Sequence, residues 1–443
     1  MEHRVFHYKS LEDLREEMKA TGVSFPLSEN TALLGQPLSV HGKTIPNRLA
    51  IQPMEGCDST PEYTPGEYML RRYDRFARSG AGLIWVEATA VSPEGRATPG
   101  QMVICPETLD ALKALVESIR ETAFRETATE PLVILQATHS GRYSKPHGYP
   151  EPLIAYNNPV FEKDKPIDAG RILSDDQLKA IEEKYYGAAK MAEEAGFDGI
   201  DVKACHRYLN CELLSAYTRP GEYGGSFENR TRFFRNAFAN AKAGASGKFI
   251  VTSRMNIYDG FPYPYGFGTV QEDGSVVPDM TEPIRLIGML KEQGLELLDI
   301  TMGNPYVNPH VNRPYDQGGY VPPEHPLEGV SRIATLTGQV ADSYPDLAII
   351  FSGPSYLRQF SANLAAGIVE AHPRAMVGFG REAFAYPSFP KELLETGAMD
   401  PRKVCITCGK CAELLRSCYP AGCVVRDHVY TDIYRRMQQE KKG

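Results

Sequence analysis

The 443-residue sequence predicts an α/β protein built on a closed (β/α)8 barrel, also called a TIM barrel, with an N-terminal extension and a short cysteine-rich C-terminal segment. Short β-rich runs alternate with longer amphipathic stretches, which is typical of βα units around a parallel sheet. An open doubly wound sheet is the alternative, but no G-x-G-x-x-G motif follows the first strand. The eight candidate strands are residues 48–53, 83–88, 132–137, 198–203, 249–254, 297–302, 347–352 and 375–380.

Helix candidates lie between these strands, and the third has the clearest boundaries. Ser174 precedes it and Gln177 follows three places later, which matches a capping box. Gly196 would end this helix as a C-terminal cap. The candidates are residues 65–79, 107–122, 177–195, 227–242, 281–293 and 356–370.

We expect three parts: an extension at 1–40, the barrel at 41–400 and the cysteine-rich segment at 401–443. Residues 303–328 follow the sixth strand and are rich in Pro, Asn, Gly and Tyr, so they predict neither a regular helix nor a strand. A loop of this length on the catalytic face suits a lid over a flat ligand. The alternative to a lid is a loop with a purely structural role.

Composition narrows the class of partner. A net charge of −8 argues against nucleic acid or anionic membrane as the main partner. No apolar run approaches the roughly 20 residues needed to span a bilayer, and the charged N-terminus is unlike a secretory signal. We therefore expect a cytoplasmic protein that acts on a small molecule.

The active site of such a barrel lies at the C-terminal ends of its strands. Gly353 and Gly380 follow the seventh and eighth strands, the usual place for backbone amides that bind a phosphate. A phosphorylated cofactor is therefore expected. The strand-end residues are Pro53, Met54, Glu55, Glu87, Ala88, Gln136, Lys203, His206, Tyr208, Arg254, Ser352, Gly353, Gly380 and Arg381.

Five segments between about residues 40 and 390 resemble, in order, the Old Yellow Enzyme family. They are QPM, VEATAVSPEGR, LQATHSGRYSKP, the stretch from GFDGIDVKACHRY to ENRTRF, and VGFGR. The resemblance implies a barrel that binds FMN and receives electrons from NADH or NADPH. It also allows a homo-oligomer.

The same resemblance implies positions around the flavin. Pro53 and Met54 would meet the ring through their backbone, Ala88 would pack near its pyrimidine edge, and Gln136 would hydrogen-bond it. Arg254 would stabilise negative charge near N1 of the reduced ring. A buried ion pair is the alternative for Arg254, and a satisfied core amide is the alternative for Gln136. The phosphate would be held by Ser352, Gly353, Gly380 and Arg381.

In this family two side chains after the fourth strand hold the substrate's carbonyl oxygen, and a tyrosine donates a proton. His206 and Tyr208 match this pattern, but Lys203 stands where the family usually has histidine. The implied reaction moves hydride from reduced flavin to the β-carbon of an α,β-unsaturated carbonyl or carboxyl compound, and Tyr208 protonates the α-carbon. Lys203 would favour a carboxylate-bearing or electron-rich acceptor. Alternatively, its side chain would point away from the substrate and leave His206 alone to hold the oxygen. Its alternative role is an ion pair with Glu55 or Asp201.

Glu55 is a second departure, because many bacterial relatives have a small residue or cysteine directly after Pro-Met. A carboxylate beside the flavin would repel acidic substrates unless it is paired. We therefore expect Glu55 and Lys203 to neutralise each other across the site.

Five of the nine cysteines fall between residues 405 and 423, which in a reducing compartment points to a metal. Cys405, Cys408 and Cys411 have the spacing that binds one face of an iron–sulfur cubane, with Cys423 as a distant fourth ligand. The segment is similar to that of dienoyl-CoA reductase and trimethylamine dehydrogenase, which implies a [4Fe–4S] cluster. Cys418 is a rival fourth ligand, and zinc or an empty site are the alternatives.

The sequence thus favours an ene-reductase acting on an enone or enoate. An amine dehydrogenase, which would need an aromatic cage for its cationic substrate, is the alternative within flavoenzymes. A non-catalytic flavin and iron–sulfur electron carrier would need no proton donor such as Tyr208. A glycosidase or aldolase fits on fold grounds alone. Electrons would come from NADH or NADPH at the FMN, or from an electron-donor protein through the cluster.

Overall fold

The computed structural model describes residues 5–441, with a closed barrel of eight parallel strands at its centre. Each strand pairs with the next one along the chain, and the last pairs with the first. The predicted (β/α)8 class is therefore confirmed, and the open-sheet alternative is wrong. Strands β1–β8 span Leu49–Ile51, Leu83–Ala90, Leu132–Thr138, Gly199–Val202, Ile250–Asn256, Leu297–Thr301, Ala348–Phe351 and Ala375–Phe379.

The outer helices follow the predicted order. The capping box is present, because Ser174 accepts from the backbone of Gln177 and its own N–H donates to the Gln177 side chain. The predicted 227–242 helix is divided at Thr231 into Phe227–Arg230 and Arg232–Gly244. No helix within residues 5–441 is long and apolar enough to cross a membrane. The outer helices span Glu67–Ala77, Leu109–Thr127, Asp175–Glu194, Arg232–Gly244, Thr281–Glu292, Pro326–Ser343, Ser361–Ala371 and Phe389–Thr396.

A hairpin closes the floor of the barrel. Its strands, Leu38–Val40 and Lys43–Ile45, bury three apolar side chains against the N-terminal ends of the barrel strands, with Trp85 in the same cluster. The helix Leu11–Thr21 packs outside, on the core between the barrel and its helices. Because the floor is filled, the carboxyl ends of the strands form the open end of the barrel.

The C-terminal segment lies across that open end. Its helices, Lys410–Arg416 and His428–Glu440, bury apolar side chains against each other. Asp427, at the start of the second helix, pairs with Arg71 and Arg75 of the first outer helix. These contacts bring the cysteine-rich segment next to the strand ends.

Candidate active site

A large cavity opens between the strand ends, the 303–328 loop and the C-terminal segment. Its empty space, including the part that is open to solvent, is about 1070 Å³. The structure brings together all the residues predicted to bind cofactor or substrate, although the role of each stays a prediction. They are Pro53, Met54, Glu55, Ala88, Gln136, Lys203, His206, Tyr208, Arg254, Ser352, Gly353, Gly380 and Arg381.

The loop after β1 is fixed by a buried carboxylate. Glu87, in β2, accepts a 2.8 Å hydrogen bond from the backbone N–H of Gly56 and pairs with Arg72 at 2.5 Å. Arg72 also pairs with Asp58. Burial raises the pKa of Glu87 to about 7, against the opposing effect of Arg72. This network sets the position of the loop that carries Glu55.

Arg254 lines the cavity and also forms the buried ion pair that was its alternative role. Its Nε lies 3.0 Å from a carboxylate oxygen of Asp299, in β6, and its Nη2 donates to the side chain of Gln52. Burial raises the pKa of Asp299 to about 6, and Arg254 opposes that rise. The ion pair therefore positions a guanidinium that also lines the cavity.

Gln136 is held in a similar way by Asp201, in β4. Its Nε2 donates to the Asp201 carboxylate at 2.6 Å, and the backbone N–H of Arg254 donates to the other oxygen at 2.7 Å. Burial raises the pKa of Asp201 to about 7. Because the amide nitrogen is used, the amide oxygen of Gln136 is the atom left to accept from a ligand.

Lys203, directly after β4, is buried. Its ammonium group lies 3.6 Å from the centre of the Tyr208 ring, a cation–π contact. Within residues 5–441 it forms no ion pair with Glu55 or Asp201. Burial lowers the pKa of Lys203, and the nearby Cys205 and Glu55 oppose that change. The two predicted partners act on it through space without direct contact.

Tyr208 belongs to a wall of three tyrosines. Its hydroxyl donates to a carboxylate oxygen of Glu55 at 3.2 Å and lies 3.3 Å from the hydroxyl of Tyr306. The rings of Tyr306 and Tyr143 are 4.3 Å apart. Burial raises the pKa of Tyr208 and also that of Glu55, so the phenol keeps its proton at neutral pH.

His206 sits in a turn with a left-handed backbone, at φ of 62°. The side-chain nitrogen of Asn312 lies 3.1 Å from its Nε2. Burial, with the charges of Arg254 and Lys203, lowers the pKa of His206 well below its ordinary value. The ring is therefore a neutral imidazole, with one nitrogen that can donate a hydrogen bond and one that can accept.

Two arginines line the cavity beside the ends of β7 and β8. Burial, together with the charge of Arg381, lowers the pKa of Arg313 to about 10. Neither guanidinium has a carboxylate or hydrogen-bonding partner among the residues that the structure describes. Gly353 stands here at φ of 79°, where a Cβ would meet Ile333 at 2.8 Å.

A smaller cavity adjoins the first. It is lined by Cys405, Cys408, Cys411 and Cys423, and Cys411 is shared with the larger cavity. Cys418 does not line it. In the described part of the chain, no three His, Cys, Asp or Glu side chains are placed to hold a single metal ion. Zinc, an iron–sulfur cluster and an empty site therefore stay the alternatives for these cysteines.

Sequence reasoning missed several residues that line the cavity. The unusual composition of the 303–328 loop indicated the segment but could not single out Tyr306, Asn312 or Arg313 within it. No sequence pattern indicated Arg416 as a site residue, although it lines the cavity and its guanidinium lies 5.9 Å from the centre of the Tyr306 ring. Its place depends on how the C-terminal segment folds over the barrel.

Known proteins resemble this chain in both sequence and fold. Residues 34–321 match the NADH:flavin oxidoreductase / NADH oxidase family. An NADPH dehydrogenase of Halalkalibacterium halodurans is 30% identical over 269 residues, which cover 60% of this chain and 71% of that protein.

Solved structures resemble the fold. A 2-naphthoyl-CoA reductase in complex with 2-naphthoyl-CoA has a TM-score of 0.73 at 20% identity, covering 91% of this chain and 58% of that one. This chain thus spans little more than half of that protein. Morphinone reductase has a TM-score of 0.61 at 24% identity, covering 84% of this chain and 93% of that one.

Proposed function

Because the chain belongs to the NADH:flavin oxidoreductase / NADH oxidase family, we propose that it is an FMN-dependent ene-reductase for an α,β-unsaturated carbonyl or carboxyl compound. Membership confirms the resemblance to Old Yellow Enzyme and makes the protein an oxidoreductase. The observation that supports the finer proposal is that Lys203, His206 and Tyr208 line one cavity at the strand ends.

The donor set of the cavity fits FMN. Arg313 and Arg381 are two cations that have no carboxylate partner in the described part of the chain, and such a pair suits a phosphate dianion. Gln136 offers a free amide oxygen, and Arg254 a cation held by Asp299. Bound FMN would supply the hydride for the reaction. The protein would hold the cofactor and control charge and protons around it.

The residues after β4 would activate the substrate. Neutral His206 and the ammonium of Lys203 would donate hydrogen bonds to the carbonyl oxygen as negative charge grows on it. Because the desolvated Lys203 has no carboxylate partner within residues 5–441, its charge is available to an acceptor. This suits an enoate or a strongly polarised enone.

Tyr208 would supply the proton. Its raised pKa keeps the phenol protonated, and its hydrogen bond to Glu55 orients it. The pKa of Glu55 is also raised by burial, so this carboxyl group can return a proton to Tyr208 after each turnover. Glu55 would then serve as the next donor in the proton path.

An amine dehydrogenase fits the cavity less well. Three tyrosines do form an aromatic wall, which could attract a cationic amine. However, the Lys203 ammonium already occupies a face of Tyr208 and would repel a second cation. The charge on this wall favours an electron-rich acceptor.

We further propose a [4Fe–4S] cluster at Cys405, Cys408, Cys411 and Cys423. All four line one cavity, and Cys411 and Cys408 both raise the pKa of Cys423, so the thiols are near neighbours. In such a cluster each thiolate binds a different iron atom, so the sulfurs need not converge on one point. The cluster would give an electron-donor protein a route to the flavin, alongside NADH or NADPH.

The three-part division of the chain follows from these roles. Residues 41–400 would form the FMN barrel, residues 401–443 would carry the cluster, and residues 1–40 would cover the barrel. The hairpin that fills the floor crosses the first boundary, since its strands are Leu38–Val40 and Lys43–Ile45.

Two half-reactions test the function. The anaerobic protein is first reduced with NADH or NADPH while its flavin absorbance is followed, and is then mixed with an enone or an enoate. We expect bleaching in the first step and recovery in the second, with the saturated compound as product. Recovery with an amine-derived imine and not with any enone or enoate would contradict the proposal.

A further inference from the structure

Cys57 and Cys418 form a pair separate from the four cysteines of the smaller cavity. Their thiol groups are near neighbours, although the two residues are far apart in sequence. Cys57 follows Glu55 by two residues in the loop after β1 and is buried, whereas Cys418 follows the helix Lys410–Arg416 and is partly exposed. The pair therefore joins the cavity's wall to the segment that covers it.

The backbone around the two thiols holds them together. The N–H of Ala421 donates to the carbonyl oxygen of Gly56 at 2.8 Å, next to the thiol pair. Cys57 and Cys418 both have left-handed backbones, at φ of 54° and 57°. Non-glycine residues take this conformation only where the surroundings enforce it. The contact is thus built by two tight turns that face each other.

We propose that Cys57 and Cys418 are a redox-active dithiol, which a low-molecular-weight disulfide oxidises to a protein disulfide. The Cys418 thiolate attacks the small disulfide and releases one small thiol, leaving a mixed disulfide on Cys418. The Cys57 sulfur then attacks the Cys418 sulfur and releases the second small thiol. Two protein thiols are oxidised, and one small disulfide is reduced to two thiols.

The surroundings assign the first attack to Cys418. The neighbouring Cys57 lowers the pKa of Cys418 to about 6, and the charge of Lys145 acts in the same direction, against the opposing effects of burial and Glu55. An accessible thiolate near a cation is the usual setting of a reactive cysteine. Cys57 is buried and keeps its proton until the mixed disulfide forms.

The disulfide would fasten the C-terminal segment onto the loop after β1. That segment contributes Cys411, Leu415 and Arg416 to the cavity's wall, so the cross-link would hold the cover closed. We expect slower substrate entry in the oxidised protein. This effect on turnover depends on the proposed function, but formation of the disulfide does not.

Peptide mapping of the full chain tests the pair. Protein purified without oxygen is treated with oxidised glutathione, alkylated and digested without reduction, and the peptides are identified by mass spectrometry. We expect one cross-linked peptide that joins Cys57 to Cys418. Separate alkylation of both thiols, or cross-links of either one to another cysteine, would overturn the proposal whether or not the protein turns over an enone.

Variants test the order of attack. Cys57→Ser should collect one glutathione on Cys418, whereas Cys418→Ser should leave the buried Cys57 unmodified. Cys105→Ser is the matched control, because Cys105 is partly exposed and belongs to neither cysteine group; it should give the same cross-linked peptide as the wild type. Glutathione on Cys57 in Cys418→Ser, at the rate seen for Cys418, would contradict the assignment. The wild-type map decides the pairing even if a variant fails to fold.

Discussion

The hydroxyl of Tyr208 lies 3.2 Å from a carboxylate oxygen of Glu55. This contact joins the turn after β4 to the loop after β1 at the wall of the cavity. The Lys203 ammonium lies on the face of the same tyrosine ring. A proton donor, a carboxyl group and a cation therefore share one wall, and their separate contributions can be measured.

Replacing Tyr208 by phenylalanine removes the proposed proton donor and keeps the ring. We predict that oxidation of the reduced flavin by an enone slows by about 10²- to 10⁴-fold, the usual contribution of a general acid. Reduction of the flavin by NADH or NADPH should stay near the wild-type rate, because it needs no proton from Tyr208. Stopped-flow absorbance measures both steps.

Tyr263→Phe is the control for this variant. Tyr263 is largely exposed and does not line the cavity, so both steps should proceed at wild-type rates. Equal loss of the two half-reactions in Tyr208→Phe would indicate a structural role instead of proton donation.

Glu55→Gln tests the proton path through the pH profile. Burial raises the pKa of Glu55, so its acid form persists above the ordinary glutamate range and is lost as the pH rises through the raised value. If the acid form returns a proton to Tyr208, the oxidative half-reaction should slow across that pH interval in the wild type. The variant should turn over more slowly and lack this descending limb. Identical kinetics and flavin spectra in the two proteins would rule the role out.

The sequence predicted the barrel and most of the cavity because both depend on local patterns. The eight strands lie within two residues of their predicted bounds, since buried parallel strands appear as short apolar runs. Strand-end positions converge by topology alone, so Gln136, Arg254 and Tyr208 could be placed together without knowing any contact. The resemblance then supplied their predicted roles.

The side-chain contacts within the site could not be predicted from the sequence. Nothing in the residue pattern shows that Lys203 lies on the Tyr208 ring instead of pairing with Glu55. Arg313 and Tyr306 lie in an irregular loop whose path is set by packing, and Cys418 meets Cys57 only because the C-terminal segment folds back over the barrel. Such long-range contacts follow from the tertiary structure and leave no periodic signal.

Arg313→Gln tests the proposed phosphate site. We predict that FMN binds about ten- to a hundred-fold more weakly, as expected for losing a hydrogen bond to a charged group. Binding of riboflavin, which lacks the phosphate, should not change. Fluorescence titration of flavin-free protein measures both affinities.

Arg285→Gln provides the matched control, because this exposed arginine pairs with Glu228 on the surface. It should bind both flavins like the wild type. Equal weakening of FMN and riboflavin in Arg313→Gln would place Arg313 away from the phosphate.

Cys423→Ser tests the fourth cluster ligand. Because Cys423 lines the smaller cavity and Cys418 does not, we predict loss of iron and sulfide in Cys423→Ser only. The wild type and Cys418→Ser, purified without oxygen, should each hold about four iron atoms per chain. Iron and acid-labile sulfide analysis measures this. Retention of the full content in Cys423→Ser, or its loss in Cys418→Ser, would contradict the assignment.

The most direct test of the central claim is to identify the flavin released from anaerobically purified protein, after its visible spectrum has been recorded with NADH and with NADPH. We predict about one FMN per chain, with an absorbance near that of other flavoproteins that bleaches on reduction. A colourless protein that releases no flavin and does not bind added FMN would contradict the claim, and with it the roles proposed for Tyr208, His206 and Lys203.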